Sequence, residues 1–226
     1  MMDFVTLYAG SIWPFSDIKM ILSSCPKMAS NLFDSSYGGN MKAKLKTKPA
    51  RTDGARRENY YVIVPSPVGD LMLVADAAAL KGVYFVGCKH LPAASKQWEP
   101  KAEHPILQSA RKQLQEYFAG RRKIFSLPLS PIGTDFQTAV WKNIAVIPYG
   151  KTVSYSDLAQ QAGQPEAIRA AGTSTGRNPI SIIIPCHRVV GKNGGLHGFA
   201  GGLERKRQLL NLENPELELM AAKARH

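Results

Sequence analysis

A chain of 226 residues, 44% of them hydrophobic, can bury one large core or two small ones without disulfides or metal staples. Twenty-nine basic against 17 acidic residues leave a formal charge of +12, which favours a polyanionic partner, nucleic acid before anionic membrane. No run approaches the roughly 18 consecutive apolar residues of a spanning helix, and residues 18–22 are too short for a secretory core.

Three scattered cysteines, Cys25, Cys88 and Cys186, fit a reducing cytoplasm and have no metal-ligand spacing, so no metal and no cofactor are expected. Residues 1–57 mix isolated aromatics with Ser, Gly and Asn and end in "MKAKLKTKPARTDGARR". They are expected to be a disordered extension or an over-long start, with Met41 as the beginning.

From Asn59 the pattern is a meander: "YYVIVPSP", "GDLMLVAD" and "GVYFVG" are short strands separated by the turn formers "SPVGD" and "DAAALKG". In "HPILQSARKQLQEYFAG" the spacing of Ile106, Ala110, Leu114 and Tyr117 or Phe118 predicts a helix capped by Gly120. The linker "RRKIFSLPLSPIG" carries the domain boundary.

Beyond it, "TDFQTAVWKNIAVIPYG" is a helix capped by Thr134 or Asp135, with Phe136, Val140, Ile144 and Ile147 on one face. "SYSDLAQQAG" begins with a Ser154–Asp157 capping box. "QPEAIRAAGTSTG" starts another helix, with Pro165 in its first turn and Glu166 at the positive end of its dipole. Two short helices joined at a glycine outline a helix-turn-helix, a shape also common in proteins that never touch DNA. The second helix is nearly bare, with Arg169 projecting among Ala167, Ala170, Ala171 and Gly172. Such a surface suits either a narrow groove or close helix packing.

Residues 181–191, "SIIIPCHRVVG", read as a buried strand emptying into a tight turn, which sets Cys186 where a core meets a cavity. A nucleophile and a space-filling buried cysteine both fit that place.

Together "IPCHRVV", "VSYSDLA", "AIRAAGTSTGRNP" and "GFAGGLERKRQLL" resemble the O6-alkylguanine-DNA alkyltransferases, also called methylated-DNA–protein-cysteine methyltransferases. The resemblance runs from about residue 60 to 213. It implies an α+β fold: a ribonuclease H-like domain of antiparallel strands plus a helix over 58–131, and a mostly helical, winged-helix-like domain over 132–214. A tail over 215–226 completes the expected division. The first domain has no carboxylate cluster for nuclease chemistry and is expected to buttress the second.

The resemblance also assigns roles. Cys186 takes the alkyl group from O6 of guanine, with O4-alkylthymine as a second substrate. His187 accepts the thiol proton through a water, and Glu213 orients it. Asn178 holds the turn bearing the cysteine, and Tyr155 lies at the flipped nucleotide and gives a proton to the leaving guanine. Arg169 fills the space vacated by the base, with Ala170 and Thr173 beside it on the DNA. Val189, Phe199 and Ala200 wall the base pocket; some relatives carry a tyrosine and a serine at the last two positions. The partner implied is double-stranded DNA containing O6-alkylguanine, met by a monomer, in a single-turnover reaction. The sulfur should therefore be ionised by the imidazole at the floor of an open slot. A binding module of the alkyltransferase-like kind would lack Cys186, and a helix-turn-helix regulator would carry a sensing domain.

Overall fold

The computed structural model describes residues 58–88 and 91–216. The expectation for residues 1–57, and that for most of the tail, lie outside them.

Three strands, β1 (Tyr60–Val64), β2 (Leu71–Ala75) and β3 (Leu80–Phe85), form the antiparallel meander. Asp76 makes the second turn, its carboxylate accepting from the backbone N–H of Ala78 and Ala79 at 2.9 and 2.8 Å. A fourth strand, β4 (Glu99–Pro100), pairs parallel to β1, so the sheet order is β3-β2-β1-β4 and the sheet is mixed. Both β4 residues are exposed and polar or proline, which is why no apolar alternation announces it.

Helix α1 (Pro105–Phe118) covers the sheet with Leu107, Ala110, Gln113, Leu114 and Tyr117. Leu107 takes the inward place expected of Ile106, which is only partly buried. Each leucine fully buried here contributes about 1.5–3 kcal/mol. Gln113 is satisfied by the linker, donating to Ser126 O at 2.9 Å and accepting from Ser126 N at 2.8 Å. Gly120 follows the helix at φ +71°, the left-handed position for which glycine is suited.

The second half is helical: α2 (Asp135–Ala145), α3 (Tyr155–Gln161), α4 (Ile168–Gly176) and α5 (Leu203–Glu213). Thr134 and Ser154 head α2 and α3 with complete capping boxes. Helix α4 begins only at Ile168, so Pro165 and Glu166 precede it. Pro165 occupies a turn closed by Ala167 N donating to Gln164 O at 2.9 Å, where its fixed φ suits the turn rather than the helix. Two short strands, β5 (Val153–Ser154) and β6 (Val189–Val190), pair in parallel.

The halves share one core, and the free edge of β3 is where they join. The linker occupies one end, Leu80 N donating to Pro128 O at 2.8 Å and Ser130 N to Leu80 O at 2.9 Å. The turn ahead of Cys186 occupies the other, with Val83 N donating to Pro179 O at 2.9 Å and Ser181 N to Val83 O at 3.1 Å. An edge that would template aggregation is thereby covered, and the sheet grips the segment leading to the cysteine.

Candidate active site

The apolar run before Cys186 is a folded turn rather than a strand. Ile182 sits at φ +72°, a left-handed conformation that costs a β-branched residue about 1–3 kcal/mol. Asn178 holds it there: its side-chain N–H donates to Ile184 O at 2.7 Å, and its carbonyl accepts from Ile180 N at 3.0 Å. Cys186–Arg188 then form a 3₁₀ turn leading into β6.

Cys186 is 2% exposed, so the expectation of a sulfur open to solvent is corrected. Ile180, Ile182, Ile184 and Val189 are buried with it. Burial is the largest influence on the thiol and pushes its pKa up, so the sulfur rests protonated rather than ionised. The Asn178 amide, the Lys206 ammonium and the N–H groups of residues 186 and 187 pull the other way. A cavity of about 360 Å³ is lined by Tyr84, Phe85, Trp98, Pro179, Asn178 and Ala200 among others, but not by Cys186, Tyr155, Val189 or Phe199.

His187 is fully buried, its Nε2 2.9 Å from Glu213 Oε1. Because Glu213 is held ionised well below the usual carboxylate range by hydrogen bonds from His187 and Arg188, against the opposing effect of burial, Nε2 carries the proton and donates. Burial lowers the imidazole pKa despite Glu213, leaving the ring neutral. Nδ1 is then a bare lone pair, and it has no protein hydrogen-bond partner.

Glu213 anchors more than the histidine. Arg188 forks onto it through Nε and Nη2, both at 2.8 Å, Tyr117 Oη donates at 2.7 Å, and Gly150 N at 3.1 Å.

Three residues of this site, Arg188, Lys206 and Tyr117, escaped the sequence reading as site residues. Lys206 is fully buried and donates to Val189 O at 2.6 Å and His197 O at 2.7 Å, with Tyr155 Oη at 3.4 Å. Desolvation lowers its pKa to about 8, although Cys186 opposes that shift. The signal was present: Lys206, Leu209, Leu210 and Glu213 fall at i, i+3, i+4 and i+7, one inward face of α5.

Tyr155 opens α3, and its hydroxyl donates to His197 O at 2.8 Å. Burial raises its pKa to about 12, so it keeps its proton. Val189 is buried beside the cysteine turn. Phe199 and Ala200 lie on the following loop, but the Phe199 ring packs edge-on against Phe85 of β3 at 5.6 Å, which makes it part of the packing between the halves. On α4, Ala171, Ser174 and Thr175 face inward, and Trp141 Nε1 donates to Ser174 O at 2.8 Å. Arg169, Ala170 and Thr173 are exposed together on the outer side. The small residues of α4 thus serve both close packing and a slim outer face.

A buried thiol followed in the chain by a buried histidine–carboxylate pair, on a helical domain braced by a small sheet domain, is an arrangement suited to cysteine-dependent group transfer. Residues 59–131 match the family model described as 6-O-methylguanine DNA methyltransferase, ribonuclease-like domain, and residues 135–215 match its DNA binding domain. The methylated-DNA–protein-cysteine methyltransferase of Methanosarcina acetivorans is 45% identical over 154 residues, covering 68% of this chain and 97% of that one. The constitutive enzyme of Bacillus subtilis is 43% identical over 159 residues, 69% of this chain and 95% of its own. The crystal structure of Mycobacterium tuberculosis O6-methylguanine methyltransferase in complex with DNA superposes with a TM-score of 0.64 at 42% identity, covering 69% of this chain and 93% of that one. The chain belongs to the methylated-DNA–protein-cysteine methyltransferases.

Proposed function

We propose that this protein repairs DNA by moving an alkyl group from O6 of guanine onto Cys186, once per molecule. The observation that carries this reading is the buried His187, its Nε2 2.9 Å from Glu213 and its Nδ1 without a partner, next in the chain to the buried Cys186.

The thiol gives its proton through a water to His187 Nδ1 as sulfur attacks the alkyl carbon. The S–C bond forms as the C–O6 bond breaks, and the electron pair goes to the guanine ring, which takes a proton from Tyr155. Lys206 supports both ends, its charge favouring the thiolate while its Nζ lies beside the Tyr155 hydroxyl. A thioether has no leaving group that water can displace, so the product is permanent.

The target atom lies inside the duplex, and rotating the nucleotide out costs a few kcal/mol, least for a poorly paired base. Arg169 fills the vacated space from the slim face of α4, with Ala170 and Thr173 alongside. Val189 and the loop at Ala200 wall the base, with Phe199 bracing that loop against Phe85. No described helix is long and apolar enough to cross a membrane. We place the protein in the cytoplasm, where a reducing poise keeps the thiol available, acting as a monomer.

The test is a titration with duplex DNA bearing O6-methylguanine, counting guanine restored per protein. One equivalent is expected, and continued turnover would defeat the reading. In the same assay Arg169→Ala should slow transfer from duplex by at least about tenfold, the equivalent of 1.4 kcal/mol, and leave transfer from the free base unchanged.

A further inference from the structure

Tyr117 belongs to α1 in the first half, yet its phenol reaches across to the second. Its Oη donates to Glu213 Oε1 at 2.7 Å, the oxygen that also takes His187 Nε2 at 2.9 Å and Arg188 Nη2 at 2.8 Å. We infer that Tyr117 is a positioning residue for the base: by sharing Oε1 with His187 it sets the proton affinity of the imidazole, and it makes docking of the first domain a condition for a competent site. The inference rests on the reading of Cys186 and His187 given above.

The ring of Tyr117 fills the core, while its hydroxyl is aimed at the carboxylate. An ionised carboxylate offers about four lone-pair sites, and five donors converge on this one, so each weakens the others' hold. Tyr117 is fully buried and fixed by Phe118, Phe125 and Tyr149, with ring centroids 5.3, 5.5 and 6.2 Å away. Burial and the neighbouring carboxylate hold its phenol protonated far above the usual range, so it donates at every working pH. The other charged or titratable groups near the imidazole are Arg188 and Cys186 from its own turn, Lys206 from α5 and Tyr149 ahead of β5; Tyr155 of α3 lies towards the sulfur.

Removing the phenol hydroxyl lets Glu213 tighten on His187 Nε2, which favours the imidazolium. The base works only when neutral, so the acidic limb of the rate profile moves to higher pH. Single-turnover transfer from O6-methylguanine in duplex DNA, followed across pH by intact mass, reads this. Tyr117→Phe is expected to raise the half-maximal pH by about half a unit. Should that variant fold poorly, 3-fluorotyrosine at position 117, a stronger donor, is expected to lower it. Phe125→Leu is the packing control, expected to lower Tm and leave the profile in place. A Tyr117→Phe or fluorotyrosine profile that overlays the native one, or an equal shift in Phe125→Leu, overturns the inference alone. A native protein that gains no alkyl group on Cys186 overturns the underlying reading, and the inference with it.

Discussion

Cys186→Ala is expected to bind duplex DNA containing O6-methylguanine about as tightly as the native protein and to transfer nothing. The sulfur is the only atom proposed to bond to the alkyl carbon, and no neighbour can replace it. Asn178 and Lys206 present N–H donors to the region; His187 Nε2 is committed to Glu213, and its Nδ1 lone pair is assigned the thiol proton. Binding survives because the outer face of α4 is remote in role from the buried turn, and phosphate contacts carry most of the affinity. Replacing a thiol by hydrogen at a 2% exposed site costs about 1 kcal/mol of packing, so the fold survives too. Anisotropy on labelled duplex and intact mass separate the two effects. A variant that still acquired the alkyl group would remove Cys186 from the mechanism.

Glu213→Gln is expected to have the larger effect on stability. The carboxylate only accepts, and it satisfies buried donors from Tyr117, Gly150, His187 and Arg188. An amide of the same shape turns one acceptor into a donor and leaves the buried Arg188 without its counter-charge. Breaking such a pair costs about 3–5 kcal/mol, which for a protein of this size lowers Tm by about 10 °C. Transfer should fall by about a hundredfold or more, because Nε2 loses the partner that keeps Nδ1 free as base. Acid should imitate part of this loss. Glu213 has a depressed pKa in the folded protein, so its contribution is complete above the ordinary carboxylate value and is lost as pH falls below about 4. Native stability should therefore decline steeply in acid, and the Glu213→Gln variant much less so. Calorimetry at several pH values checks both statements, and equal acid sensitivity in the two proteins would refute the assignment.

Much of this was legible before the structure. The meander, the helices α1, α2 and α3, the cap at Thr134 and the Ser154–Asp157 capping box follow from short-range rules that tertiary packing did not override. Where reading failed, the deciding interactions were remote in sequence. The run at residues 181–184 looks like a strand by composition, but Asn178 and the edge of β3 bend it into a turn with Ile182 left-handed. Pro165 obeys the first-turn rule for helices equally well as a turn residue, and only the Ala167–Gln164 hydrogen bond decides between them.

The site divides the same way. Cys186, His187, Asn178 and Tyr155 sit inside contiguous motifs. Lys206 stands between Arg205 and Arg207, and composition cannot say which of three adjacent cations is buried; the periodicity of α5 can. Tyr117 lies 96 residues from the carboxylate it binds, a separation no local pattern bridges. The burial of the sulfur was equally hidden, since the residues "PCHR" do not say how much of Cys186 reaches solvent.

The decisive measurement is to mix the native protein with duplex DNA carrying O6-methylguanine, record its intact mass and locate the adduct by peptide mapping. A gain of a single methylene, confined to the thioether of residue 186, is the outcome required. An unchanged mass, or a methyl group found on any other side chain, contradicts the account.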